Sequence, residues 1–181
     1  MLKNDRYIGG GRVFFTPVGG AEVEIGEVQD ATLSFNVETA EAFSKDQTMK
    51  LLVAKVAKGI TATVKFTTQI LNANNMAMAM FGTESTKTFE IGDTLPDNTV
   101  ASAQVVIPFI EAGSKPIIEG MLKFIGDEDG DEKPILEVHH AFLTPTGDIG
   151  YIMDDYSKLS FEGAVMKTSD GYAKEYRMTV A

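Results

Sequence analysis

The sequence contains no cysteine and no tryptophan, and proline occupies only 6 of its 181 positions. The lack of cysteine excludes a disulfide framework, a thiolate zinc site, an iron–sulfur cluster and a cysteine nucleophile. No run approaches the roughly 18 apolar residues that a membrane-spanning helix needs, and residues 1–7 lack the apolar core of a signal peptide. We therefore expect a protein without a membrane anchor that folds in the cytoplasm.

Basic residues are also scarce. The chain has 16 Lys and Arg against 26 Asp and Glu, which gives a net charge of −10. Proteins that bind nucleic acid tightly use Lys and Arg to displace counterions from the phosphate backbone. The charge balance argues against such a protein, but it is compatible with one that lets nucleic acid pass without binding it.

The apolar residues recur with period two between turn residues, which predicts a mostly β chain of about eight strands and one short helix. The alternation is cleanest in residues 28–38 and 60–70, where one face is apolar and the other polar. The helix is predicted to begin after the capping residue Asn72 and to end before Gly82. The predicted strands are 11–18, 28–38, 60–70, 100–110, 117–125, 135–143, 158–166 and 172–180.

Residues 39–59 separate the second and third predicted strands. An excursion of this length inside a compact domain is uncommon unless it is functional. Two interpretations remain open: the segment packs on its own domain, or it packs on another subunit. Its apolar residues available to a partner are Phe43, Met49, Leu51, Leu52, Val53 and Val56.

Two short segments of the first half have counterparts in the second. Residues 15–19 (Phe-Thr-Pro-Val-Gly) match residues 143–147 (Leu-Thr-Pro-Thr-Gly), and Leu-Ser-Phe occurs at both 33–35 and 159–161. Because the order and separation are nearly the same, we predict that strands 28–38 and 158–166 occupy similar places in two half-domains.

No catalytic motif is recognisable in the sequence. The only histidines, His139 and His140, are adjacent on a predicted strand and so point to opposite faces, which prevents them from sharing a metal. The acidic run 127–132 lacks the spacing of a calcium loop and is typical of a charged hairpin tip. Nucleophile-elbow, phosphate-loop and zinc-protease motifs are missing. We predict a protein that is not an enzyme and that has no metal site and no cofactor.

Several segments together resemble the tail tube (major tail) proteins of long-tailed bacteriophages. The resemblance is strongest over residues 11–82, and it is carried by Gly-Arg-Val-Phe-Phe-Thr-Pro-Val-Gly-Gly at 11–20, Leu-Ser-Phe-Asn-Val-Glu-Thr at 33–39, Val-Ala-Lys-Val-Ala-Lys-Gly at 53–59, Thr-Ala-Thr-Val-Lys-Phe at 61–66 and Met-Ala-Met-Ala-Met-Phe-Gly at 76–82. It is looser beyond, where Asp-Asp-Tyr at 154–156 and the segment 159–163 fit best.

The resemblance implies one domain over residues 1–181. The implied fold is mostly β, a two-sheet antiparallel β-sandwich or barrel with one short flanking helix, which assembles into six-fold rings stacked into a hollow tube. The arm at 39–59 is implied to reach the neighbouring ring. The implied partners are further copies of the chain, a tape-measure protein, a tail terminator and baseplate or tail-tip proteins. The implied location is the virion tail, assembled in the host cytoplasm, and DNA passes through the lumen without specific binding.

Within that fold, the polar strand faces are expected to line the lumen. Lys65 departs from a neutral or acidic lining, and we expect Glu38 or Glu137 to neutralise it. The predicted lumen residues are Thr32, Ser34, Asn36, Thr61, Thr63, Lys65, Thr67, Glu137, His139, Ser160 and Glu162.

Two alternatives remain open. One is the tube protein of a type VI secretion or contractile injection system, which the strand pattern does not separate from a phage tail tube. The other is a β-sandwich ligand-binding module of a tail fibre. A module of that kind would need exposed aromatic side chains as a sugar platform, and the lack of tryptophan argues against it.

Overall fold

The computed structural model describes residues 9–44, 51–128, 132–152 and 154–179. These residues form a mostly β structure with one short helix, as predicted, and every pairing between the named strands is antiparallel. In chain order the elements are β1 (Gly11–Pro17), β2 (Val23–Ser44), β3 (Leu51–Thr68), α1 (Ala73–Ala79), β4 (Thr83–Phe89), β5 (Val105–Glu111), β6 (Ile118–Gly126), β7 (Glu132–Thr146), β8 (Leu159–Val165) and β9 (Ala173–Thr179).

Six strands form a closed circuit in the order β6-β1-β2-β3-β8-β7, because β6 pairs with β7 as well as with β1. The strand β9 pairs with the first half of β7, beyond the end of β8. The strands β4 and β5 form a separate two-stranded sheet. The expected sandwich or barrel is therefore a barrel made from one large sheet.

The core lies inside this barrel. The strands of the circuit contribute apolar side chains, mostly at alternate positions, as half-buried strands do. The rings of Phe66 and Phe161 stack with their centroids 5.1 Å apart and link β3 to β8. The buried side chains of the core are Val13, Phe15, Ile25, Ala62, Val64, Phe66, Ile118, Leu122, Val138, Ala141, Leu143, Leu159, Phe161 and Val165.

The helix α1 begins where the capping residue predicts. The Asn72 side-chain oxygen accepts a hydrogen bond from the Asn75 backbone N–H at 2.8 Å. The methionines Met76 and Met78 pack against the core, which agrees with a gap-filling role for these flexible side chains. No helix among the described residues is long and apolar enough to cross a membrane.

One strand was not predicted. The strand β4 lies in the polar passage after the helix, where Thr, Ser, Glu and Lys give no apolar alternation, and six of its seven residues are exposed. It pairs with β5, which begins at Val105, five positions after the predicted start. The strand β4 could not be predicted from the sequence, because the two-stranded sheet of β4 and β5 buries little of either face.

The two matching segment pairs occupy corresponding places in the circuit. The strands β2 and β8 lie on the two edges of β3, and β1 and β7 lie on the two edges of β6. The prediction that strands 28–38 and 158–166 occupy similar places in two half-domains was wrong in its half-domains, because both strands belong to one barrel, where they flank β3.

Candidate functional site

The strands β2 and β3 continue well beyond the barrel. The strand β1 accompanies β2 only as far as Glu27, and β8 accompanies β3 only from Ala62. Beyond these points, residues 34–44 pair only with β3 and residues 51–61 pair only with β2 among the described strands. We call this segment the β2–β3 ribbon. The predicted strand ends at residues 38 and 60 were wrong, because β2 continues to Ser44 and β3 already includes Leu51.

The ribbon presents apolar side chains that its own chain does not cover. Nearest the barrel are Phe35, Val37 and Ile60, with 55%, 50% and 50% of their surfaces exposed. Farther out are Phe43, Leu52, Val53 and Val56, with 49%, 52%, 62% and 63% exposed. We call these two sets the proximal and the distal cluster. Of the other predicted arm residues, Met49 and the side chain of Leu51 lie outside the described residues.

The alternation in residues 33–37 predicted a buried apolar face, and this was wrong for Phe35 and Val37. In β3 the corresponding face is buried from Ala62 onward, but Ile60 is not. The burial stops where β8 ends, because no other layer lies over the ribbon. A ring contact at 6.0 Å from Tyr172 to Phe35 covers part of the proximal cluster, and the Tyr172 hydroxyl donates to the Ile60 carbonyl.

The opposite face of these strands carries the predicted lumen residues. The register sets Thr32 opposite Lys65, Ser34 opposite Thr63 and Asn36 opposite Thr61. Directly opposite residues of an antiparallel pair share a face, so the structure brings these six side chains together. Five of them are exposed and Thr63 is half-buried, and the hydroxyl of Ser34 donates to the Thr63 carbonyl at 3.4 Å.

This polar face continues onto β8. The hydroxyls of Thr67 and Ser160 lie 3.1 Å apart, and the ammonium of Lys65 lies 2.9 Å from the carboxylate of Glu162. Lys65 is therefore neutralised locally, but by a different residue from those expected. The register sets Glu162 directly across from Lys65 and leaves Glu38 farther along the ribbon.

The placement of Glu137 and His139 beside Ser160 and Glu162 was wrong. The residues of β7 that face Ser160 and Glu162 are Thr146 and Thr144. Glu137 instead lies opposite Lys123 of β6 and Lys174 of β9. Thr144 and Thr146 were not predicted to lie on this face. They alternate with the buried positions Ala141 and Leu143, and this alternation could have placed them there.

A bulge in β7 explains this error. Gly120 faces Ala141 and Leu122 faces Val138, so the single residue between them in β6 faces both His139 and His140. An extra residue in one strand reverses the alternation that follows it. The ring of His139 turns toward the Gly171 carbonyl at 3.3 Å, and the ring of His140 lies 3.5 Å from Glu119.

A recess of about 230 Å³ opens at the end of the barrel from which the ribbon projects. The base of the ribbon forms one wall, and β6, β7 and β9 form the other. Apolar side chains dominate its lining, with Thr32 and Glu175 as polar residues. We call it the barrel mouth. Its lining residues are Val13, Ala31, Thr32, Leu33, Val64, Phe66, Leu122, Phe124, Pro134, Ile135, Leu136, Val138 and Glu175.

The titratable groups show no constellation for metal binding. Within the described ranges, no three His, Asp or Glu side chains converge on one point. The pKa of Asp97 is held below its ordinary value of 3.8, chiefly because the Thr99 hydroxyl donates to its carboxylate at 2.6 Å. This contact stabilises a turn between β4 and β5, far along the chain from the ribbon.

The comparison with family models matches residues 6–111 to the family described as "Protein of unknown function UCP028589". The chain belongs to this family. The matched range runs through β1–β5 and α1, so it includes the ribbon and ends at the last residue of β5. The four strands that complete the circuit and add β9 follow it. No curated protein matches the chain.

Proposed function

We propose that this chain is the subunit of the hollow tail tube of a long-tailed bacteriophage, assembling into stacked six-fold rings through which DNA passes into the host. The observation that carries the proposal is the β2–β3 ribbon. It projects from a closed barrel and carries seven large apolar side chains that are about half exposed. Several large apolar side chains left uncovered on one element are typical of an interface.

The pairing pattern supports self-assembly independently. The outer edge of β2 from Asp30 to Ser44 has no neighbouring strand within the described part of the chain, and no proline or glycine interrupts it. The register with β3 shifts at Glu38/Thr39 and at Ala42/Phe43, where the extra residue lies in β3. A long open edge is a template for pairing with another chain. In a closed ring of subunits each such edge meets a partner, whereas a monomer leaves it open.

The polar face supports a conduit. It consists of short hydroxyl and amide side chains, and Glu162 neutralises Lys65, its lysine. With a net charge of −10, the assembled wall would repel phosphate. A surface of this kind lets DNA slide without binding. In this proposal the face made by β2, β3 and β8 lines the lumen, with Thr144 and Thr146 of β7 continuing it.

A tail tube subunit would have several partners. The chain would contact copies of itself within and between rings, and the tube would form around a tape-measure protein between a terminator and the baseplate or tail tip. Assembly would take place in the host cytoplasm and the product would reside in the virion tail. The tube protein of a type VI secretion or contractile injection system shares every feature used here and stays the nearest alternative.

Introducing positive charge on the polar face tests the lumen assignment. We predict that Ser34→Lys with Asn36→Lys permits tail assembly but slows genome ejection severalfold, because exposed ammonium groups in the conduit bind passing phosphate. The readout is the rate of DNA release from assembled particles. The matched control is Thr86→Lys with Thr88→Lys, which adds the same charge at exposed positions of β4. Equal release rates from the two variants would show that the chosen face does not line the conduit.

One observation favours a ligand-binding module as a second candidate. Tyr151 and Tyr156 are 73% and 78% exposed. Exposed tyrosine rings can stack on sugars. A module of this type would stay monomeric at every concentration, and it would lose carbohydrate binding on Tyr151→Ala with Tyr156→Ala.

A further inference from the structure

We propose that the barrel mouth is a binding site for a small primary aliphatic amine, with the alkyl chain in the recess and the ammonium group at Glu175. The tail-tube proposal gives this recess no role, and the amine site does not depend on that proposal. Ligand sites occur preferentially in concave, mostly apolar places with a few polar groups, and the mouth of a β-barrel is one of these places.

The lining of the recess selects an apolar group. Eleven of the thirteen lining residues are apolar, so a polar group placed deep in the recess would lose its water without gaining hydrogen bonds. An apolar cavity of about 150 Å³ holds a benzene molecule, so a recess of about 230 Å³ suits a chain or ring of roughly six carbons. The ligand is therefore small and apolar over most of its surface.

The floor of the recess is preformed. Val64, Phe66, Leu122 and Val138 line it, and they keep only 2–6% of their surfaces exposed because they belong to the packed core. Ala31 lines the open side, where its small side chain is exposed. A ligand can therefore enter without rearranging these side chains, which lowers the entropic cost of binding.

The rim of the recess determines the charge of the ligand. Opposite residues of an antiparallel pair share a face, and Glu175 and Arg177 of β9 lie opposite Leu136 and Pro134, which line the recess. Arg177 lies 3.4 Å from the carboxylate of Glu175 and 3.9 Å from that of Glu132. Two carboxylates thus surround one guanidinium, and this part of the rim carries a net negative charge.

This charge favours an ammonium head group over a carboxylate. An ammonium group is attracted to Glu175 while its alkyl chain stays in the recess, whereas a fatty acid of the same length would bring a further carboxylate to a negative rim. The Glu175 side chain is 56% exposed, so water screens the attraction. Burial of the alkyl chain therefore supplies most of the affinity, and the charge supplies the selectivity.

Three ligands with the same six-carbon chain test the site: hexylamine, 1-hexanol and hexanoate. Methyl NMR of the purified native chain, at a concentration too low for assembly, follows Val64, Leu122 and Val138. We expect hexylamine to bind with a Kd on the order of 1 mM, as suits a ligand of about seven non-hydrogen atoms. Its affinity should be roughly threefold above that of hexanol and about tenfold above that of hexanoate.

Two variants separate the parts of the site. Ala31→Phe places a ring in the recess and should weaken the binding of all three ligands by roughly tenfold or more, because close-packed walls leave no room for both. The matched control is Ala164→Phe, at an exposed alanine opposite Thr63 on the polar face. Glu175→Gln should remove the preference for hexylamine over hexanol and leave hexanol binding unchanged. Circular dichroism checks the fold of each variant.

Several results would overturn the amine site. Unchanged binding in Ala31→Phe would place the ligand elsewhere, and equal binding of hexanoate and hexylamine would refute the role of Glu175. A lack of saturable shifts with all three ligands would refute the site itself. If no ligand binds and Ala31→Phe blocks assembly, the occupant is another copy of the chain. Tube formation by the native chain is scored separately by electron microscopy, so failure of the amine site leaves the proposed function standing.

Discussion

At the scale of single residues, Asn75 ties the helix to the barrel. Its side chain is completely buried, and its amide group donates to the carbonyls of Ile25 at 2.9 Å and Ile70 at 2.7 Å. These carbonyls belong to β2 and to the segment after β3, so one side chain connects three parts of the fold. The sequence placed Asn75 in the helix but gave no sign of this role, because polarity alone suggests exposure.

Asn75→Ala should lower the free energy of unfolding by about 2–3 kcal/mol, since it leaves two buried carbonyls without a donor. The control is Asn74→Ala, one position earlier on the same helix and exposed, which should stay within about 0.5 kcal/mol of the native chain. Urea unfolding followed by circular dichroism measures both. Equal losses for the two variants would mean that the buried amide does not hold the helix in place.

At the scale of elements, a strand could be predicted from the sequence where the rest of the same chain buries its apolar face. The strands at 60–70 and 158–166 were found because their apolar faces lie in the core. The hairpin between β6 and β7 was also found, and Ile125 pairs with Ile135 as the charged tip between them suggested. The bulge at His139 and His140 could not be found, because it is defined by the residue count of the opposing strand.

The close approach of β7 to β8 depends on a residue without a side chain. A Cβ at the buried Gly163 would lie 2.7 Å from the carbonyl oxygen of Phe142. Gly163→Ala should therefore destabilise the protein by about 1–3 kcal/mol through a backbone shift. The matched control is Gly59→Ala on the ribbon, where a Cβ meets nothing within 4 Å and the free energy of unfolding should be unchanged or slightly raised. Thermal and urea denaturation report both; a neutral Gly163→Ala would refute the packing argument.

At the scale of the whole molecule, the sequence encodes more apolar alternation than the single chain can bury. Residues 33–37 have the pattern of a half-buried strand, yet Phe35 and Val37 stay exposed because the barrel ends before them. The polar face could be predicted for β2, β3 and β8 because each strand's own alternation defines it. The contribution of β7 could not, because it required the register between strands.

The most direct test of the account is electron microscopy of two purified proteins across a concentration series, with sedimentation alongside. One is the native chain. In the other, residues 40–56 are replaced by Asn-Gly, a two-residue turn that joins the register partners Thr39 and Ala57 and shortens the ribbon without changing the barrel. We predict hollow tubes of stacked six-fold rings from the native chain, and folded subunits that do not stack from the shortened one. A native chain that stays monomeric at every concentration and after mixing with tail-tip proteins, or a shortened chain that forms tubes of normal length, would contradict the account.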